Sequence, residues 1–258
     1  MNLQGKRIVV TGSARGMGAA TVRAYVGAGA SVVGMDVADE AGRAVSAAAA
    51  AIGPGAATYM HVDIADQQSV EAAFAAAVSH LGGLDVLAHP AAIQRSSNAS
   101  DVSVEDWDLM FAVNVRGTML TNRVAHRYIK AAGGGSIINF GSISGQRAEP
   151  TAAAYSAAKG AVHAWTRTAA GTWGVDNIRV NAILPAMATP MYLEAMARAT
   201  DEERTASYWR NLDSIALGNE YGDPDRDLGP VMVFLASDAS RFITGQLIPV
   251  DGGQTNVQ

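Results

Sequence analysis

Seven short runs rich in β-branched residues, at 8–11, 31–36, 58–62, 84–88, 135–140, 178–184 and 246–250, alternate with longer, Ala-rich stretches of helical length. A strand with one wet face alternates apolar and polar residues, whereas these runs are apolar on both faces and must be covered above and below. Strands of that kind, each separated from the next by a helix-length segment, predict a parallel sheet with helices on both faces. The right hand of βαβ crossovers makes such a sheet doubly wound. The expected fold is therefore α/β, a seven-stranded parallel sheet, with function at the C-terminal ends of the strands. With 258 residues, 49% of them apolar, and no Pro/Gly/Ser-rich or charge-run linker, residues 1–258 read as a single domain. The Ala-rich run at 44–51 reads as a plain helix that closes at Gly53-Pro54.

Charge narrows the partner. A net charge of -5 argues against nucleic-acid and anionic-membrane surfaces, which attract clustered Lys and Arg. A small-molecule partner is expected instead. The chain has no Cys, hence neither disulfides nor thiolate metal sites, and no metal centre is expected. Its first ten residues hold only a short apolar run, and no stretch reaches spanning length, so a cytoplasmic protein is expected.

The first strand-like run, Lys6 to Thr11, leads at once into Gly12-Ser13-Ala14-Arg15-Gly16-Met17-Gly18. Gly12 permits a tight turn after the strand. Gly16 lets backbone approach a pyrophosphate at a helix N-terminus, and Gly18 lets helix and strand pack closely. Some twenty residues on, Asp36 ends the second run, where a carboxylate can accept hydrogen bonds from both adenosine ribose hydroxyls and repel a 2′-phosphate. Arg15 pulls toward the phosphorylated coenzyme. No Arg or Lys follows at Val37 or Ala38, so Asp36 decides for NAD. The alternative role of Asp36 is a helix N-cap. Further along, Tyr155 and Lys159 stand four apart. On a helix they share one face, with the ammonium close enough to lower the phenol's pKa and make it a proton donor and acceptor.

The spacing Thr-Gly-x-x-x-Gly-x-Gly is the form found in the short-chain dehydrogenase/reductase family, which this sequence resembles from end to end. The resemblance implies a Rossmann fold and an oxidoreductase that moves hydride between NAD(H) and an apolar secondary alcohol or ketone. Alternatives are an NADPH-dependent 3-oxoacyl thioester reductase and a scaffold that keeps the fold without turnover. By resemblance, Tyr155 is the general acid/base, Lys159 lowers its pKa and holds the nicotinamide ribose, and Ser142 hydrogen-bonds the substrate oxygen. Asn114 holds a water connecting Lys159 to solvent. Taken singly, Ser142 and Asn114 could equally be a loop cap and a satisfied buried amide. Asp63 matches an adenine-contacting Asp, its alternative being an N-cap for a helix beginning near Asp66. The resemblance also assigns Ser13, Met17, Ile64, Pro90, Ala91, Pro185, Ala188 and Thr189 to the coenzyme site with the residues above. Gln94, Met187, Met191 and Tyr192 fall to the substrate site. A C-terminal segment at 243–253 implies a homotetramer or a dimer.

Two departures stand out. The family's usual Asn-Asn-Ala-Gly is His89-Pro90-Ala91-Ala92, and its Pro-Gly after the sixth strand is Pro185-Ala186. Ala disfavours positive φ and Pro90 removes a donor, so the floor of the coenzyme site should be stiffer. His89 reads as a core histidine. Residues 187–217 interrupt the alternation and carry Met187, Met191, Tyr192, Met196, Tyr208 and Trp209; the resemblance makes this segment a lid over an apolar pocket, the alternative being a helix packed on the body. Arg95, Gln146, Arg147 and Glu149 fall on neighbouring loops, where Arg147 could hold a carboxylate or remain solvated.

Overall fold

The computed structural model describes residues 1–207 and 211–255. The strands are β1 (Arg7–Thr11), β2 (Ser31–Asp36), β3 (Ala56–His61), β4 (Val86–His89), β5 (Gly135–Phe140), β6 (Ile178–Pro185) and β7 (Leu247–Val250). All seven fall on the expected runs, with ends displaced by no more than two residues. They form one parallel sheet in the order β3-β2-β1-β4-β5-β6-β7.

Helices cover both faces because neighbouring strand residues point opposite ways. Ile8 and Val10 of β1 belong to one buried cluster with Val22, Tyr25, Met232 and Leu235, under α1 (Gly16–Gly27) and α9 (Gly229–Ala236). Val9 joins the other, with Phe74, Val124 and Ile129 of α3 (Gln67–Leu81) and α5 (Gly117–Ala131). Each fully buried large apolar side chain contributes about 1.5–3 kcal/mol. The Ala-rich run lies in α2 (Asp39–Ile52) with Gly53 at its C-cap, as its composition predicts. Among the described residues no helix is long and apolar enough to cross a membrane.

Strand order reverses between β1 and β4, and two features fix the junction. Arg7 grips Asp85, just before β4, through Nε to Oδ2 (2.9 Å) and Nη2 to Oδ1 (2.7 Å), while the Arg7 N–H also donates to Oδ2 (2.8 Å). At the opposite end Gly12 turns the chain with φ +63, and a Cβ there would meet Ala91 Cα at 2.6 Å. A Cβ on Gly18 would come within 1.9 Å of the Gly12 carbonyl oxygen. Helix α1 thus packs on the turn at backbone contact.

The clash at Gly18 is with backbone, which cannot swing away. Gly18→Ala should lower the unfolding free energy by about 2 kcal/mol or more, measured by urea unfolding, and an unchanged midpoint would show that the turn relaxes freely.

Candidate active site

Helix α6 (Ala153–Trp173) carries Tyr155, Lys159 and His163 at four-residue spacing, so all three face the end of β5. Lys159 is buried, 3% exposed, and its Nζ donates to the Phe140 carbonyl oxygen (2.7 Å). The ammonium stands 5.5 Å from the centre of the Tyr155 ring. Ser142, two residues past β5, caps a 3₁₀ turn (Ile143–Gly145), its Oγ accepting from the Ser144 N–H (3.1 Å).

Burial penalises charge at both members of the pair. The Lys159 ammonium is pushed down to about 8 by burial. The Tyr155 phenol is pushed up to about 12, burial outweighing its hydrogen bond with Ser142. In this arrangement Lys159 does not acidify the phenol. The ammonium gives its hydrogen bond to Phe140 instead, and the cost of a buried phenolate dominates.

Asn114 lies where α4 (Val104–Met110) runs into α5 through a π turn (Phe111–Arg116), in which the Gly117 N–H reaches back five residues to the Ala112 oxygen. The Asn114 side chain clamps the loop after β4. Its Nδ2 donates to the Ile93 oxygen (2.8 Å) and its Oδ1 accepts from the Ile93 N–H (2.9 Å). The amide is thus engaged at both atoms, and the Asn114 main-chain oxygen accepts the Thr118 hydroxyl (2.7 Å).

A cleft of about 600 Å³ opens at the β1/β4 reversal. Gly12, Arg15, Gly16, Met17, Gly18, Asp36, Val37, Asp63, Ile64, Pro90, Ala91, Gln94 and Thr189 all line it. The first turn of α1 enters it without a side-chain cap, since Arg15 at the cap position offers no acceptor. Its amides therefore remain available to an anion. A Cβ on Gly16 would meet nothing nearer than Thr189 at 3.8 Å, so the space over that turn is open. Asp36 is aimed by two backbone amides, Ala14 N–H to Oδ2 (3.1 Å) and Ala38 N–H to Oδ1 (3.0 Å). It does not cap α2, whose cap position is Ala38. Likewise Asp66, not Asp63, caps α3, and Asp63 accepts from the Ala65 N–H (2.9 Å). An uncapped helix N-terminus, an open glycine turn and a fixed carboxylate fit a dinucleotide.

Not every expected residue faces the cleft. Ser13 is buried beneath the turn, its Oγ against Gly34, and does not line the cleft. Met187, 8% exposed, packs in the core with Leu228 and Met232 rather than facing a pocket. The reason is a short bridge to Gly222, which pins residues 186–188 to the body and turns this side chain inward. Pro185 ends β6 opposite Val250, and the Ala188 N–H donates to the Gly222 oxygen. Thr189 spends its hydroxyl capping α7 (Pro190–Arg198). Tyr192 stacks edge-on against Tyr221 at 4.8 Å. The side chain of Met191 and residues Tyr208 and Trp209 lie outside the described ones.

His89 is buried with Nδ1 2.7 Å from the Thr11 hydroxyl and 3.3 Å from that of Thr121, joining β4 to β1 and α5. Burial, and secondarily the Lys159 charge, push it down to about 3, so it is neutral. The residue that sequence reasoning missed is His163. Its Nε2 accepts the Ser142 N–H at 3.2 Å. The available signal was its place one turn beyond Lys159.

Known proteins match the chain over almost its whole length. The family model described as enoyl-(acyl carrier protein) reductase matches residues 12–255. The chain is 36% identical to trans-4-hydroxycyclohexanecarboxylate dehydrogenase of Sinomonas cyclohexanicum, over 97% of this chain and 93% of that one. It is 38% identical to 2,5-dichloro-2,5-cyclohexadiene-1,4-diol dehydrogenase of Sphingobium indicum, covering 99% of each. A short-chain type dehydrogenase/reductase from Mycobacterium ulcerans superposes with a TM-score of 0.91 at 29% identity, over 99% of this chain and 91% of that one.

The buried Lys159 predicts a pH signature. Between about 8, its value in the fold, and its ordinary 10.5, the unfolded chain binds more protons than the folded one, so stability must rise with pH. Relative to Lys159→Met, which lacks the group, the wild type should gain up to about 3 kcal/mol across that interval. Parallel pH dependences of urea unfolding in the two proteins would contradict it.

Proposed function

The chain belongs to the short-chain dehydrogenase/reductase family, and on that premise we propose that it moves hydride between NAD(H) and a secondary alcohol or ketone. The carrying observation is the grouping of Ser142, Tyr155 and Lys159 at the end of β5, next to β4, whose following loop lines a cleft suited to a dinucleotide. The nicotinamide supplies the hydride donor or acceptor and, when oxidised, a positive charge.

Tyr155 handles the proton. A phenol held at about 12 is protonated at neutral pH, which suits donation to the oxygen of a ketone as it becomes an alkoxide. In the oxidative direction the phenol must be made more acidic, and the movement within this chain that achieves it is Lys159 turning its ammonium from Phe140 toward the phenol. Ser142 donates its hydroxyl to the substrate oxygen and stabilises the charge developing there. Lys159 also holds the nicotinamide ribose, and the Asn114 carbonyl holds a water that leads toward solvent. Asp36 receives the adenosine ribose hydroxyls and favours NAD over NADP.

The relatives' substrates, a hydroxycyclohexanecarboxylate and a cyclohexadiene diol, support a ring-borne secondary alcohol for this chain. Within the segment 187–217, the described residues beyond the pinned 186–188 serve as its lid, with Tyr192 against Tyr221. The segment 243–253, next to the fully exposed Phe242, supports a symmetric homotetramer, which light scattering at micromolar concentration would distinguish from a monomer.

Three measurements test the reading. Purified protein with NAD⁺ should oxidise members of a panel of alicyclic secondary alcohols. The preference for NAD⁺ over NADP⁺ in kcat/KM should narrow in Asp36→Ala; a wild-type preference for NADP⁺ defeats the coenzyme assignment. Tyr155→Phe should keep coenzyme binding, by calorimetry, while kcat falls by about 10²-fold or more. Near-normal turnover in that variant would move the proton transfer to another group.

A further inference from the structure

We propose that His163 is a positioning residue for Ser142, its neutral imidazole accepting the Ser142 backbone N–H and thereby aiming the Ser142 hydroxyl at the reacting oxygen. The proposal rests on the functional reading of Ser142 given above. It adds a residue that neither the motif nor the relatives' names assign.

The chain leaves the sheet at Gly141, whose N–H still donates to the Ile183 oxygen (2.8 Å). The next link is the Ser142 N–H to His163 Nε2 (3.2 Å). Beyond it the segment's main-chain hydrogen bonds are local, Gly145 N–H to Ser142 oxygen and Arg147 N–H to Ile143 oxygen, while the Ser142 hydroxyl meets Tyr155 and Gly145 packs on the α6 backbone at Lys159 and Gly160. His163 is therefore the side chain that fixes the extended backbone of Ser142 (φ -164, ψ 149) against α6.

The segment is shaped around the ring. A Cβ on Gly141 would come within 2.5 Å of Nε2, and one on Gly145 within 2.7 Å of Cε1. The two glycines thus leave room for the imidazole between them. His163 itself is 2% exposed. Accepting at Nε2 puts the ring's single proton on Nδ1 and requires a neutral ring, since a protonated imidazole has no lone pair to offer. Burial first, then the charges of Lys159 and Arg167, push His163 down to about 4, so the acceptor is present at neutral pH. Tyr155, Lys159 and His163 share one helix face, so the helix that carries the acid/base also sets the group opposite it.

The test separates an acceptor from a filler. His163→Leu keeps apolar bulk and removes the acceptor. His163→Gln places a carbonyl oxygen near the Nε2 position, and the shorter His163→Asn does not reach it. His163→Leu and His163→Asn should each lose about 10²-fold in kcat, the scale of an ångström-level misplacement, with coenzyme affinity unchanged. His163→Gln should recover most of that loss. In a Ser142→Ala background His163→Leu should add little, because both changes remove one interaction. Hydrogen exchange of peptides covering residues 141–147 should quicken in the Leu and Asn variants and not in the Gln variant.

A Leu variant as active as Gln, or losses that multiply with Ser142→Ala, would assign His163 to packing alone. If the wild type turned over no alcohol, the functional reading would fail while the exchange comparison still decided whether His163 holds the segment.

Discussion

Everything at this site depends on a backbone contact that no side chain mediates. Helix α1 approaches the turn after β1 so closely that a single Cβ on Gly18 would overlap the Gly12 carbonyl, and Gly12 in turn sits against Ala91 beyond β4. Three segments meet there at main-chain distance, at the point where strand order reverses. An uncapped helix N-terminus would ordinarily be a defect. At this junction it becomes a surface of free amides, held rigidly because the glycines allow no gap beneath it.

The second fixed element is α6, which carries a buried cation at a cost in stability. Lys159 shows that cost in its lowered pKa, and the Phe140 carbonyl relieves only part of it. Proteins retain such groups where activity requires them. The raised phenol beside it belongs to the same pattern: burial stabilises the neutral form of both groups, and the hydroxyl of Ser142 is the neighbour that opposes it at Tyr155.

How much could be read from sequence follows from which signals are local. Strand positions were legible to within two residues: the five inner strands because burial on both faces leaves a compositional trace, the half-buried edge strands β3 and β7 because they fall between helix-length segments. The glycine turn was legible because each glycine answers a separate steric demand. Asp36 was legible from its distance beyond that turn. What escaped depends on direction rather than spacing. Ser13 lies inside the phosphate turn, yet its side chain points down to Gly34. Met187 sits in a stretch rich in Met and Tyr, but a bridge to Gly222 turns it into the core. Asn114 reads as a helical amide, and the π turn that presents it has no signature of its own. Phenol acidity depends on whether the ammonium hydrogen-bonds to the ring's hydroxyl or to a carbonyl, which spacing alone does not decide.

The substitution of His89 for a conventional amide illustrates the electrostatic side of the same design. A charged imidazole near Lys159 would place two cations in one dry region, at a Coulombic cost far above that of a surface pair. The structure avoids this by burying both His89 and His163, so that each titrates well below neutrality, with the Lys159 charge adding to the effect. The hydroxyls of Thr11 and Thr121 satisfy His89 at Nδ1 as uncharged partners. Three basic side chains therefore crowd the end of β4 and β5, and only Lys159 carries charge at neutral pH. His89 thus stays a neutral hydrogen-bonding group at Nδ1, as the amide it replaces would be, although its buried Nε2 has no partner among the described residues, and it adds no second charge beside Lys159.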